Sequence, residues 1–442
     1  MWTRDLSGRW AWLVVGTLGL LVVLAVPTLG SDPWAFRPGH VHPTGILAFV
    51  VRAGHERWDL GLLRTPPVLA GLLIVALAAL LLAAGRLRVW LAAGAAAVVV
   101  LVLVLPGVLL QAGLRQSTAP WFFTNDSTYQ IELAGSLVRH GHNPYGHDYS
   151  RSGLERFYSL DGSEPRPGSP HQVALRHFAY FPGTALTAAA WGVLPKPLKD
   201  YRFLVALCTL LLLPAALLFP GPLGLRLAVG SVLAANPLVV RAAWFGTADA
   251  IAVLLVVVAF GLAARSRWTW AALSLGAAVL MKQFAIVAVP FFAVLLLRRA
   301  RDRWKRPAIA LASIVLAGFL PFLAADPGAL WSDTVTYGAG TYRIVGYGLS
   351  ALLLRAHVLY SRTGSYPFVW LAFLVWLPVT AWLVLVQWRA RAMWVGAAAF
   401  TVSMYLLLFV ARVFQTSYLV WPLAGVALAL LLAGAEEETS RA

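Results

Sequence analysis

The chain is 442 residues long, 60% of them hydrophobic and only 12% charged, whereas a soluble domain is roughly half apolar and about a quarter charged. That balance excludes a soluble enzyme, intrinsic disorder, a collagen-like chain and a disulfide scaffold, and the one cysteine, Cys208, reads as a small hydrophobe in an apolar run. The net charge of +17 comes from Lys and Arg residues that punctuate the apolar runs, which points to cytoplasmic loops and anionic lipid rather than nucleic acid. The fold class that remains is an all-α polytopic membrane protein.

A helix needs about 20 apolar residues to cross the hydrocarbon core. About twelve segments are candidates: 10–29, 66–84, 89–110, 203–219, 224–241, 248–264, 268–282, 284–297, 307–325, 366–387, 392–410 and 417–434. The first follows Arg4 and Arg9, but its apolar stretch is too long for a signal peptide and no small-x-small cleavage site stands near Pro27–Ser31. It reads as an anchor. The short basic loops at Arg86–Arg88, Arg265–Arg267, Arg298 to Arg306 and Arg389–Arg391 are predicted to be cytoplasmic, with both termini inside. The larger polar segments 30–65, 111–202 and 326–365 then fall outside.

Residues 268–297 have basic flanks at both ends, so two short helices turning near Lys282–Gln283 fit better than one span with Lys282 snorkelling. Segment 183–195 is too short to span and reads as an interfacial helix with Trp191 at headgroup level. Trp10, Trp90, Trp121, Trp268, Trp388 and Trp421 read as interfacial anchors.

The densest polar stretch is Trp121–Tyr149. Ser127 and Gln130 read as a capping box and Gly141 with Asn143-Pro144 as a stop, which predicts a helix over 127–140 with Asp126 at its start and Tyr129 on the same face. Asp126 has two readings: a helix cap, or a carboxylate at the bilayer surface that takes a proton from a hydroxyl. The helix N-terminus lowers its pKa and apolar surroundings raise it, so the sign of the sum stays open. Glu132 and Asp148 are the alternative bases.

The histidines His140, His142, His147, His171 and His177 lack compact ligand spacing and read as a solvated loop, with a divalent ion left open. Segment 337–348 joins glycines to aromatics as a substrate-covering loop or a plain linker; it is no P-loop. Arg355 and His357 follow it on an amphipathic stretch that can face the same cavity.

The pattern Asn125-Asp126-x-x-Tyr129, then Gly141-x-Asn143-Pro144-Tyr145, resembles the first outer loop of integral-membrane glycosyltransferases of the C superfamily (GT-C). More narrowly, it is similar to bacterial polyprenyl-phosphate-mannose-dependent α-mannosyltransferases and related arabinofuranosyltransferases. Tyr180-Phe181-Pro182 stands where that family has Tyr-Pro-Pro; Asn236-Pro237 precedes Gly246-Thr247-Ala248-Asp249; and Gly276 to Lys282-Gln283 resembles its glycine-then-lysine helix pair. Gly183 in place of the second Pro, and Thr247 in place of the common Gln, depart from the pattern.

The resemblance covers roughly 89–434 and implies a GT-C-like catalytic membrane domain there, with extra spans and an outer loop in 1–88 and a cytoplasmic tail in 435–442. It implies transfer of a sugar, mannose first, from a polyprenyl-phosphate donor to an envelope glycolipid or glycan on the outer face of a bacterial inner membrane, with inversion. Asp126 would be the general base, and Lys282, Arg412, Arg343 and Arg241 would hold the donor phosphate. Asn125, Tyr129, Asn143, Tyr145, Tyr180, Asp249, Gln283 and His357 would line the substrates. No cofactor is fixed. A transporter or flippase of lipid-linked sugars is the rival reading, and it predicts midplane charges, broken helices and a half-to-half repeat.

Overall fold

The computed structural model describes residues 8–28, 60–116, 119, 123–159, 168–196, 198–341 and 343–441. Residues 30–59 of the predicted outer loop 30–65, and Trp121, lie outside the described residues. The chain runs through α1 (Gly8–Ala25), α2 (Leu60–Ala83), α3 (Val89–Gln116), α4 (Asp126–Arg139), α5 (Pro170–Ala174) and α6 (Pro182–Trp191). It continues through α7 (Tyr201–Ala216), α8 (Leu223–Ala235), α9 (Pro237–Phe245), α10 (Asp249–Ala264), α11 (Trp268–Met281) and α12 (Ala288–Arg299). It ends with α13 (Lys305–Ala325), α14 (Pro327–Trp331), β1 (Val345–Gly346), α15 (Leu349–Arg355), α16 (Phe368–Arg389), α17 (Trp394–Val410), β2 (Val413–Phe414) and α18 (Val420–Arg441).

Each of the predicted apolar segments carries helix. Among the described residues six helices are long and apolar enough to cross a membrane, and a seventh counts if α8 and α9, bent by 43°, are one span. α7, α10, α11 and α17 are apolar but shorter. The bend has a local cause: Asn236 Oδ1 accepts the N–H groups of Leu238 and Val239, starting a new helix with Pro237 at its first position. The protein is a helical membrane protein.

Two compact units emerge. The first comprises 1–125, 194–267 and 430–442, so residues on both sides of position 88 share it. Within it α1 packs on α8 and α2, and α3 on α2, α7 and α9. Buried Arg202 makes a fork to Asp200, with Nη2 2.6 Å and Nε 2.9 Å from the carboxylate, and Arg115 approaches the same group at 3.3 Å.

The second unit comprises 126–193 and 268–429. Here α6 is wedged between α4 and α11, and α13 lies along α11. Two glycines permit the wedge: a Cβ on Gly135 would stand 2.7 Å from the Ala188 backbone, and one on Gly183 would stand 2.6 Å from the Leu280 carbonyl oxygen. Glycine at position 183 therefore has a steric reason. Gly183→Ala is expected to cost about 1–3 kcal/mol by overpacking, read as a lowered midpoint of thermal unfolding.

Residues 268–299 form the expected pair of helices. Lys282 is extended (φ −153°, ψ 129°) between them, and the Trp268 and Phe292 ring centroids are 6.4 Å apart. A straight helix would hold those rings roughly 36 Å apart. The chain therefore doubles back at Lys282.

Trp421 corrects the anchor assignment: it is fully buried and packs against Phe284 at 5.9 Å. Trp90 and Trp388 are exposed, as interfacial anchors should be. Regular structure falls on both sides of residue 342 in the predicted loop 337–348. Residues 332–341 coil as a π-helix, and β1 pairs in parallel with β2, Gly346 (φ 88°) lying under the Phe414 carbonyl where no Cβ fits.

Candidate active site

Helix α4 starts at Asp126, one residue before the predicted start, and stops where Gly141 turns left-handed (φ 76°) and the His142 N–H returns to the Leu137 carbonyl. The capping-box expectation is corrected: Gln130 Nε2 instead donates to the His177 carbonyl at 2.9 Å, because that loop folds back over the helix. Tyr129 serves the same packing. Its hydroxyl donates to the Ser152 carbonyl at 2.7 Å and its ring meets Phe157.

That packing delivers Tyr158 to Asp126. Asp126 Oδ1 accepts the Ser127 N–H at 2.8 Å, and the Tyr158 hydroxyl stands 3.5 Å from Oδ2. His171, on α5, stacks on Tyr158 with centroids 5.2 Å apart. Burial is the largest influence on the Asp126 carboxyl and lifts its pKa above the ordinary 3.8, against the Ser127 N–H, the Tyr158 hydroxyl and the Arg343 charge, which lower it. Burial and Arg343 also lower His171 below its ordinary 6.5, so it is neutral at pH 7. Asp148 behaves oppositely: it is exposed, accepts the Ser150 hydroxyl and N–H, and is held below the usual carboxylate range.

A second cluster forms at the α11–α12 turn. Lys282 is only 5% exposed, and its ammonium lies 5.1 Å from the Tyr180 ring, 5.5 Å from Tyr418 and 5.7 Å from Phe284. Tyr145 donates its hydroxyl to the Tyr180 carbonyl at 2.9 Å, while Asn143 Oδ1 accepts the Tyr145 N–H at 3.1 Å. Asn143, Tyr145, Tyr180 and Lys282 are thus joined by successive contacts. Gln283, beside Lys282, holds a buried Oε1 with no hydrogen-bond partner among the described residues.

Asp333 was not anticipated. Its buried carboxylate meets His177 Nδ1 at 2.6 Å and accepts the N–H groups of Gly146 (2.9 Å) and Phe178 (3.1 Å). It ties residue 333 to the chain beside Tyr145 and beside Tyr180. No sequence pattern could have found Asp333 or Tyr158, because each acts across a long separation in chain.

Of the other predicted cations, Arg343 precedes β1 and its buried Nε has no hydrogen-bond partner among the described residues. Arg412 precedes β2 and donates Nη2 to the Gly364 carbonyl at 2.7 Å, which gives it a bracing contact within the fold. His357 (φ 58°) and Arg355 are exposed. Asn125, Arg241 and Asp249 belong to the first unit: Asn125 Nδ2 donates to the Phe245 carbonyl at 2.7 Å, Arg241 is exposed on α9, and Asp249 is buried in the first turn of α10. Among the described residues no three His, Cys, Asp or Glu side chains are grouped to hold a metal ion.

No protein-family model matches the chain, and no curated protein matches it. Among solved structures it is similar to the crystal structure of ArnT from Cupriavidus metallidurans bound to undecaprenyl phosphate, with 18% identity and a TM-score of 0.43 over 70% of this chain. The chain spans about half, 55%, of the length of that structure.

Proposed function

We propose that the protein is a GT-C-type membrane glycosyltransferase that uses a polyprenyl-phosphate-linked sugar, mannose first among the candidates, and glycosylates an envelope glycolipid or glycan. The observation that carries this reading is the desolvated Asp126 carboxyl at the head of α4, with Tyr158, His171 and the Arg343 charge around it. The order of motifs through Asn143, Tyr145, Tyr180 and Lys282 supports the same reading.

In the proposed step Asp126 takes the proton from an acceptor hydroxyl as its oxygen attacks the anomeric carbon. The bond from that carbon to the donor phosphate breaks on the opposite face, its electron pair leaves with the polyprenyl phosphate, and the anomeric centre inverts. Lys282 and Arg343 counter the charge that develops on the leaving phosphate. Tyr158 keeps Asp126 aimed, and neutral His171 supports Tyr158 without adding a second cation.

The base form of Asp126 is the active one. Because its pKa is raised above 3.8, transfer is expected to fall as pH drops through a value higher than that of an exposed aspartate. A profile of initial rate against pH checks this; an acid limb at an ordinary carboxylate value would contradict it. The substrate assignment is tested with polyprenyl-phosphate-mannose and its arabinofuranosyl counterpart, offered separately to the purified protein with envelope lipid extract. Mannosyl transfer with inverted anomeric configuration is expected. Transfer of arabinofuranose alone would move the assignment to the pentosyl branch.

A further inference from the structure

A polar cavity lies in the second unit at the far end of α12 from Lys282. That helix has 12 residues, a length of roughly 18 Å, and carries Arg298 and Arg299 in its last turn, so the cavity and Lys282 lie beyond its opposite ends. The cavity encloses about 330 Å³ and is lined by Arg298, Arg299, Arg391, Gln387 and Ala392 among others. Among the described residues its lining holds three arginines, all exposed, and no Asp or Glu.

The wall is built rather than incidental. Arg298 Nη1 donates to the Gln387 carbonyl at 3.1 Å, which fixes the direction of its side chain while using one of five donors. Gln387 is 4% exposed and donates Nε2 to the Phe291 carbonyl at 2.9 Å, and its buried Oε1 has no hydrogen-bond partner among the described residues. A Cβ on Gly396 would stand 2.2 Å from Gln387 Nε2, so the start of α17 locks the amide in place. That helix begins here with no side-chain cap, its positive end adding to the arginines.

We propose that this cavity binds a phosphate group, carried by an anionic lipid head group or free in solution, at the end of the unit opposite the Lys282 turn. The arginines take the phosphate oxygens in pairs, with Arg298 held in place by the Gln387 carbonyl. The site is independent of the proposed transfer.

The test titrates the full chain in neutral detergent with dihexanoyl phosphatidylglycerol, dihexanoyl phosphatidylcholine and inorganic phosphate. The variants are Arg298→Gln/Arg391→Gln and, as an equal loss of charge outside the cavity, Arg301→Gln/Arg303→Gln. Saturable binding of the phosphatidylglycerol but not the phosphatidylcholine is expected, weakened at least about tenfold, or about 1.4 kcal/mol, in the first variant. The second should bind within about twofold of the wild type. Competition by inorganic phosphate would mark free phosphate as a source as well, and its failure to compete would mark the lipid as the source. Should the first variant not fold, Ala392→Trp fills the cavity without changing charge and must weaken binding equally. Equal losses in the two charge variants, or no saturable binding of either phosphate probe, would overturn the proposal.

Discussion

Asp126→Asn is expected to lower sugar transfer by about 10²–10⁴-fold, the range for removing a general base, with the KM for donor little changed. The amide keeps the shape and can still accept the Ser127 N–H, but it cannot take a proton. The same variant should be more stable at neutral pH. A carboxyl whose pKa is raised by burial binds its proton more tightly in the folded state, so its contribution to stability is present below the unfolded pKa and lost as pH rises through the folded one. Removing the charge removes that penalty. Initial rates and thermal midpoints on matched preparations check both halves; a variant that is inactive because it is less stable would assign Asp126 to the fold instead.

The second large effect is expected at Lys282. Lys282→Met keeps the length and the contact with Tyr180, Phe284 and Tyr418 but removes the ammonium. If that charge stabilises the leaving phosphate, kcat falls by about 10²–10³, the range for losing one preorganised electrostatic group. Lys282→Arg restores the charge with a different shape and should recover part of the rate. A Met variant with wild-type kcat would reduce Lys282 to a packing residue at the turn.

The legible part of this fold was its apolar segmentation and its punctuation. Asn236-Pro237 breaks the span expected at 224–241, while Gly141 and the basic flanks of 268–297 mark a helix end and a reversal that the structure contains. These signals are local: a left-handed turn, a cap, a charge that stays out of lipid. What was illegible depends on contacts between distant segments. Gln130 fits a capping box until the His177 carbonyl takes its amide. Trp421 sits near a span end like an anchor, yet Phe284 buries it.

At the candidate site, Asp126, Asn143, Tyr145, Tyr180 and Lys282 were named from motifs, and four of them lie in one chain of contacts. The sign of the Asp126 shift is not available from sequence, because it depends on how completely the folded chain desolvates the carboxyl. Asp333 was missed for a related reason: its partners, Gly146, His177 and Phe178, come from a segment far earlier in the chain.

The most direct measurement of the central claim uses proteoliposomes of the full chain, loaded with polyprenyl-phosphate-mannose labelled separately in the sugar and in the prenyl tail, together with envelope acceptor. Glycosyl transfer predicts that the two labels part in equal amounts, the sugar moving to acceptor and the tail remaining as polyprenyl phosphate. Labels that stay together while the intact donor crosses the bilayer would contradict the account and identify a flippase.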